Sequence, residues 1–167
     1  GDTVAYGLII TSHVADGGAY EVTAEASDVS IGPAADLAIA PQPDDFEART
    51  LSSFWTAANL GTGPTQGEAP TTGSARPSDG MLEITNNGWD QWEADDGMGF
   101  VYQTVAGDFD VAVHMASFDP DVNNPWEKGG IAFRQSLDAD SAYVSSMASR
   151  ANGLRGQYRL EQGGSTD

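Results

Sequence analysis

The sequence predicts an all-β protein, an antiparallel β-sandwich, on three observations. Apolar residues make up 40% of the 167, enough to build a core. Its 20 glycines and 8 prolines interrupt the chain at short intervals and leave few long apolar runs at helical spacing. Between these breaks apolar and polar residues alternate with a period of two, the pattern of a strand with one buried face.

The elements follow in order. Residues 4–11 and 20–31 predict two strands joined as a hairpin, because Asp16-Gly17-Gly18 between them supplies the positive φ of a tight turn. In the second strand Val22, Ala24 and Ala26 alternate with Glu21, Thr23 and Glu25. Residues 32–46 hold three prolines, which cannot donate to a ladder, so a linker with one brief edge strand at 36–40 is expected. The next stretch, 46–55, suits either a helical turn or a strand. Residues 61–80 are rich in Gly, Pro, Thr and Ser and predict a long loop; the composition of 62–78 fits either a plain solvated loop or an O-glycosylated one. Strands are then expected at 81–85, 99–105, 109–118, 129–135, 142–148 and 154–162. In the third of these Phe109, Val111, Val113 and Met115 alternate with Asp110, Ala112, His114 and Ala116. Phe109, Val111, Val113, Ile131, Phe133, Val144 and Trp55 are expected to share one core.

Charge and composition narrow the function. There are 25 acidic against 7 basic residues, a formal net charge of -18, which repels phosphate backbones and argues against nucleic acid as a partner. The absence of Cys removes disulfides, thiolate metal sites and Cys nucleophiles. No apolar stretch approaches the roughly 18 residues that span a bilayer as a helix, so no membrane insertion is expected. With neither an initiator Met nor a signal peptide, the chain is expected to be processed or a piece of something longer.

Candidate chemistry is sparse. Three acidic clusters offer oxygen ligands suited to Ca²⁺: Glu93 with Asp95 and Asp96, Asp119 with Asp121 and Asn123, and Asp138 with Asp140. The second alternates its ligands along one loop and leads; Asx turn formation is the competing account, and no cofactor is required. His13 and His114 stand alone without zinc spacing. Trp89, Trp92 and Trp126 sit among Asp, Asn and Gln, a setting for sugar stacking, whereas Trp55 is expected in the core. The paired carboxylates of a glycosidase strand, E-x-D-x-(x)-E, do not occur, and no enzyme activity is expected.

The order of motifs carries a resemblance. Residues 5–13, AYGLIITSH, then Gly17-Gly18, then 26–31, ASDVSI, resemble the closing strands of bacterial secreted domains with the concanavalin A-like lectin/glucanase sandwich, akin to laminin G modules. The opening of that pattern comes later, at Phe54-Trp55 and 79–84, DGMLEI. Its middle follows at 107–111, GDFDV, 128–134, KGGIAFR, 142–144, AYV, and 157–159, QYR. The Arg-rich strand and the S-x-D-G-x-x-W hairpin that such domains place next are missing. The resemblance implies a jelly-roll sandwich, incomplete or permuted, divided as 1–32 closing strands, 33–53 linker and 54–167 opening and middle. It also implies adjacent strands for Arg134 and Arg159, each paired with a carboxylate for structure or at a ligand groove.

Residues 1–32 are then expected to pair with a sheet containing the Phe109 and Ile131 strands, in the same chain or in a neighbouring copy. Val4, Tyr6, Leu8, Ile10, Val22, Val29 and Ile31 would form the assembly face. The implied function is a non-enzymatic structural module or repeat of an extracellular bacterial surface assembly, partnered by copies of itself in a head-to-tail fibre completed by strand donation. The alternative is a carbohydrate-binding module of an exported enzyme, with polysaccharide as partner.

Overall fold

A computed structural model of the chain describes residues 3–11, 22–32, 55–61, 73–78, 81–120 and 124–167, with eleven strands and no helix among them. In chain order these are β1 (Thr3–Thr11), β2 (Val22–Gly32), β3 (Thr56–Gly61), β4 (Gly73–Ser78), β5 (Met81–Asn86), β6 (Asp90–Trp92), β7 (Asp95–Ala106), β8 (Asp110–Pro120), β9 (Lys128–Arg134), β10 (Tyr143–Ser149) and β11 (Gly153–Arg159). They form two antiparallel sheets packed as a sandwich. The larger runs β11-β10-β9-β1-β7-β3, with β6 paired to β7, and the smaller runs β4-β5-β2-β8.

The first strand of the chain occupies the middle of the larger sheet. Its residues pair with β7 from Thr3↔Ala106 to Ile10↔Gly99 and with β9 from Ala5↔Arg134 to Thr11↔Lys128. The sequence explains the position: Tyr6, Leu8 and Ile10 face the smaller sheet, while Ala5 and Ile9 are buried on the opposite face. A strand apolar on both faces belongs where both are covered. Gly7 permits the close approach to β7, since a Cβ there would lie 2.0 Å from the Val101 carbonyl oxygen.

The expected hairpin of β1 with β2 does not form, because the two strands lie in opposite sheets. Over Thr23–Ala26 β2 has one apolar face: Ala24 and Ala26 are buried, while Thr23 and Glu25 on the other side remain half exposed and bond Thr85 and Ser117. That is the pattern of the smaller sheet, one face dry and one wet, and the burial of each strand outweighs the turn chemistry between them. β2 pairs with β5 and with β8, through two register shifts on the β8 side.

Between the sheets Tyr6, Leu8, Ile10, Ala24, Ala26, Trp55, Leu82, Ile84 and Val101 form the core, with Phe109, Val111, Val113, Ile131 and Phe133 packed against it. Two expectations fail here. Residues 61–80 are not all loop, since β4 pairs along β5 with Pro77 in an edge strand, where a missing N–H is tolerated. Val144 is 52% exposed, because across the core β8 faces β9 and β10 and β11 extend beyond the smaller sheet. The expected strand at 36–40, the turn at 16–18, the segment 46–54 and most of 62–78 lie outside the described residues.

Candidate functional site

Among the described residues, the outer face of the larger sheet carries a dense polar cluster. Pairing places Arg159, Tyr143, Arg134 and Ala5 in one row across β11, β10, β9 and β1. Over this face folds the β6–β7 hairpin, whose Asp96 and Asp90 reach down to the sheet. Arg159 donates to both Asp96 oxygens, at 2.7 and 3.1 Å, and Arg134 donates at 2.5 Å, all three residues fully buried. Both guanidiniums lie over the Tyr143 ring, 5.8 and 5.0 Å from its centroid.

The remaining guanidinium protons hold loops. Arg159 donates to the carbonyls of Glu93, Ala139 and Ser141, and Arg134 to those of Asp138 and Ser136. Glu93 is held at φ 50°, the left-handed region, while its carbonyl also accepts from Thr166. Burial pushes the Asp96 carboxyl above the usual carboxylate range, while hydrogen bonds and charge from Arg159 and Arg134 pull it back. Burial likewise pushes the Tyr143 phenol up from 10.0, and its hydroxyl donates to Thr166 at 3.1 Å.

At the hairpin's flank opens a cleft of about 240 Å³ lined by Asp90, Trp92, Trp126, Lys128 and Gln157. Trp92 and Trp126 are 39% and 40% exposed, whereas the three polar side chains are buried. The Lys128 ammonium donates to Asp90 at 2.7 Å and to Gln157 at 3.4 Å, and sits 5.5 Å from the centre of the Trp92 ring. Both tryptophans are on fastened segments, Trp92 at the end of β6 and Trp126 in a turn. Trp92 precedes the hairpin turn that Arg159 holds, and Trp126 donates its backbone N–H to Asn124 in a turn tied to residues 150–152 through the carbonyls of Pro125 and Glu127. Exposed apolar faces around a few fixed polar groups are the makings of a small-ligand site. A cavity of about 190 Å³ between β3 and β4 has no charged side chain among the described residues of its lining.

Sequence reasoning singled out two of the five described cleft residues, Trp92 and Trp126. Trp89 is half buried and its indole donates to the Asp95 carbonyl at 3.5 Å. Arg134 and Arg159 are not on adjacent strands: β10 stands between them, and Asp96 joins them. Neither lines the cleft. The floor of Asp90, Lys128 and Gln157 was missed; its one signal was Lys128 at the same parity as Arg134 on an otherwise apolar strand.

Of the calcium candidates, Asp121 and Asn123 lie outside the described residues, and Asp119 lies in β8 opposite Thr23. Asp96 turns to the arginines, Asp138 accepts from Ser136 and Asp140 from Gln162; among the described residues no three metal-binding side chains converge. Of the assembly candidates, Tyr6, Leu8 and Ile10 are buried in the chain's own core with Val4 half buried. Val22 and Ile31 lie opposite Asn86 and Val111 on β2, and Val29 falls where its register shifts. No protein-family model, curated protein or solved structure matches this chain.

Proposed function

We propose that this chain is a non-enzymatic, extracellular β-sandwich module that binds a glycan in the cleft between Trp92 and Trp126. The observation that carries this reading is two tryptophans, each about 40% exposed, flanking a buried Asp90–Lys128–Gln157 floor. The C–H face of a pyranose packs on indole rings, and its hydroxyls match a floor of donors and acceptors. Arg134 and Arg159 hold the hairpin that carries Trp92. The resemblance to secreted concanavalin A-like domains supports the extracellular setting.

Affinity electrophoresis through gels containing soluble polysaccharides tests the reading. Retardation by at least one polysaccharide, lost in Trp92→Ala and Trp126→Ala, is the expected result. Both side chains are partly exposed, so each variant should keep its stability within about 1 kcal/mol. Unretarded migration in every gel would refute glycan binding, and release of reducing sugar would point to a hydrolase instead.

A second reading, a structural module assembled from copies of itself, has its own support. The inner face of β10 and β11 shows Val144, Tyr158 and Leu154 at 52%, 41% and 79% exposure, and among the described residues the neighbouring edge strand β8 pairs only with β2. Arg150 is exposed in the turn between β10 and β11, near Leu154 in sequence, on a chain carrying -18, which favours the acidic surface of a second copy there. A strand from that copy, added to β8, would cover the bare face.

A further inference from the structure

We infer that the cleft takes a single neutral pyranose ring, a glycan's terminal residue or branch, and discriminates against uronic acids. This inference rests on the glycan-binding reading and adds its ligand class. The first ground is the compensated charge of Lys128. Its ammonium is bound by Asp90 at 2.7 Å, turns toward Gln157 at 3.4 Å and lies over the Trp92 ring. A ligand carboxylate seeking that ammonium meets the Asp90 carboxylate already on it, and two like charges sharing one cation in a buried site repel. A sugar hydroxyl meets no such opposition: it donates to Asp90 or to the Gln157 carbonyl, and accepts from Lys128.

The second ground is the field of the whole chain. With 25 acidic residues against 7 basic ones, the surface disfavours the approach of any polyanion, glycan or otherwise. Size supplies the third ground. At about 240 Å³ the cleft is smaller than the roughly 300–1,000 Å³ of sites that enclose drug-sized ligands, so it encloses one ring and not a run of them. The paired tryptophans do not serve a quaternary ammonium instead, because Lys128 already sets a cation against the Trp92 ring.

The test titrates the whole ¹⁵N-labelled chain with methyl glycosides of neutral hexoses, with the matching hexuronates and with neutral tetrasaccharides, following the indole N–H signals. Trp126→Ala serves as the cleft-deficient control. The inference expects the indole signals of Trp92 and Trp126 to move with a neutral monosaccharide, and the hexuronate to bind at least about ten-fold more weakly. That gap persists in salt, since the opposing Asp90 is buried and little screened. Lengthening the neutral sugar to four rings should gain less than about three-fold. A hexuronate that binds as tightly as its neutral counterpart overturns the neutral class and leaves glycan binding standing. A gain of about ten-fold or more with the tetrasaccharide overturns the single-ring assignment. Silence from every sugar at millimolar concentration overturns the inference together with the reading beneath it.

Discussion

The two faces of β10 and β11 invert the usual relation between hydropathy and burial. On the outer face Ser145, Ser149 and Gln157 are buried beside Tyr143 and Met147, while on the inner face Val144, Leu154 and Tyr158 stand in solvent. The same backbone presents both faces, so the difference lies in what covers them. The β6–β7 hairpin, fastened by Asp96, closes the outer face, and the four strands of the smaller sheet stop short of the inner one. Coverage decides burial here, and it is set by elements remote in sequence.

The largest effect should come from removing the fastener. Asp96→Ala leaves two buried guanidiniums without their carboxylate, and losing one partner of a buried ion pair costs about 3–5 kcal/mol. Denaturant unfolding should show that loss, and glycan retention should go with it because Trp92 rides on the hairpin. A loss under about 1 kcal/mol would mean that the outer face is sealed by something else.

A matched pair of leucines sharpens the contrast. Leu8 is 2% exposed in the core and Leu154 is 79% exposed on the bare face. Leu8→Ala should cost about 2–5 kcal/mol, near the cost of breaking the ion pair. Leu154→Ala should stay within about 0.5 kcal/mol in dilute solution. Equal losses in melting experiments would erase the distinction between the two faces.

Alkaline pH probes the sealed face by a smaller amount. Burial raises the Tyr143 phenol above 10.0, so the folded state holds its proton where the unfolded chain releases it. Its contribution is complete below pH 10 and is lost as pH rises through the folded value; Tyr6, raised by burial too, acts in the same direction. The melting temperature should therefore fall above pH 10, less steeply in Tyr143→Phe. An unchanged slope in that variant would remove Tyr143 from the account.

The smallest stability change belongs to the bare face, where Val144→Thr should leave unfolding within about 0.5 kcal/mol of the parent. What it should alter is association. If a second copy docks there, sedimentation of the parent at high concentration should show a larger species that Val144→Thr and Leu154→Glu weaken. A parent that stays monomeric would discard this face as a self-interface.

Much of the sandwich was legible from residue alternation. β1, β5, β8, β9 and β10 fall close to their expected spans, and Trp55 is in the core as expected. β4 was hidden by its Gly, Pro and Ser composition, because an edge strand asks little of its side chains. The hairpin forecast for β1 and β2 failed since a Gly-Gly turn signals a reversal and is silent on whether the strands stay in one sheet. Val144 was misjudged for want of any local sign of where the smaller sheet ends. At the cleft, the tryptophans announced themselves by their polar neighbours. Asp90, Lys128 and Gln157 did not, since they come from β6, β9 and β11 and meet only in three dimensions.

The central seat of β1 sets an order of events for the growing polypeptide. Thr3–Thr11 is made before either of its partners, β7 and β9, the second of which ends at Arg134. At roughly 5–20 residues per second of synthesis the wait is on the order of ten seconds. Until β7 is made, GLIIT, uncharged and largely apolar, lacks both of its partner strands and is apt to find strands of other nascent chains. β9 covers the second edge of a strand made far earlier, so yield in the cell should depend on keeping this strand apart until β9 has left the ribosome.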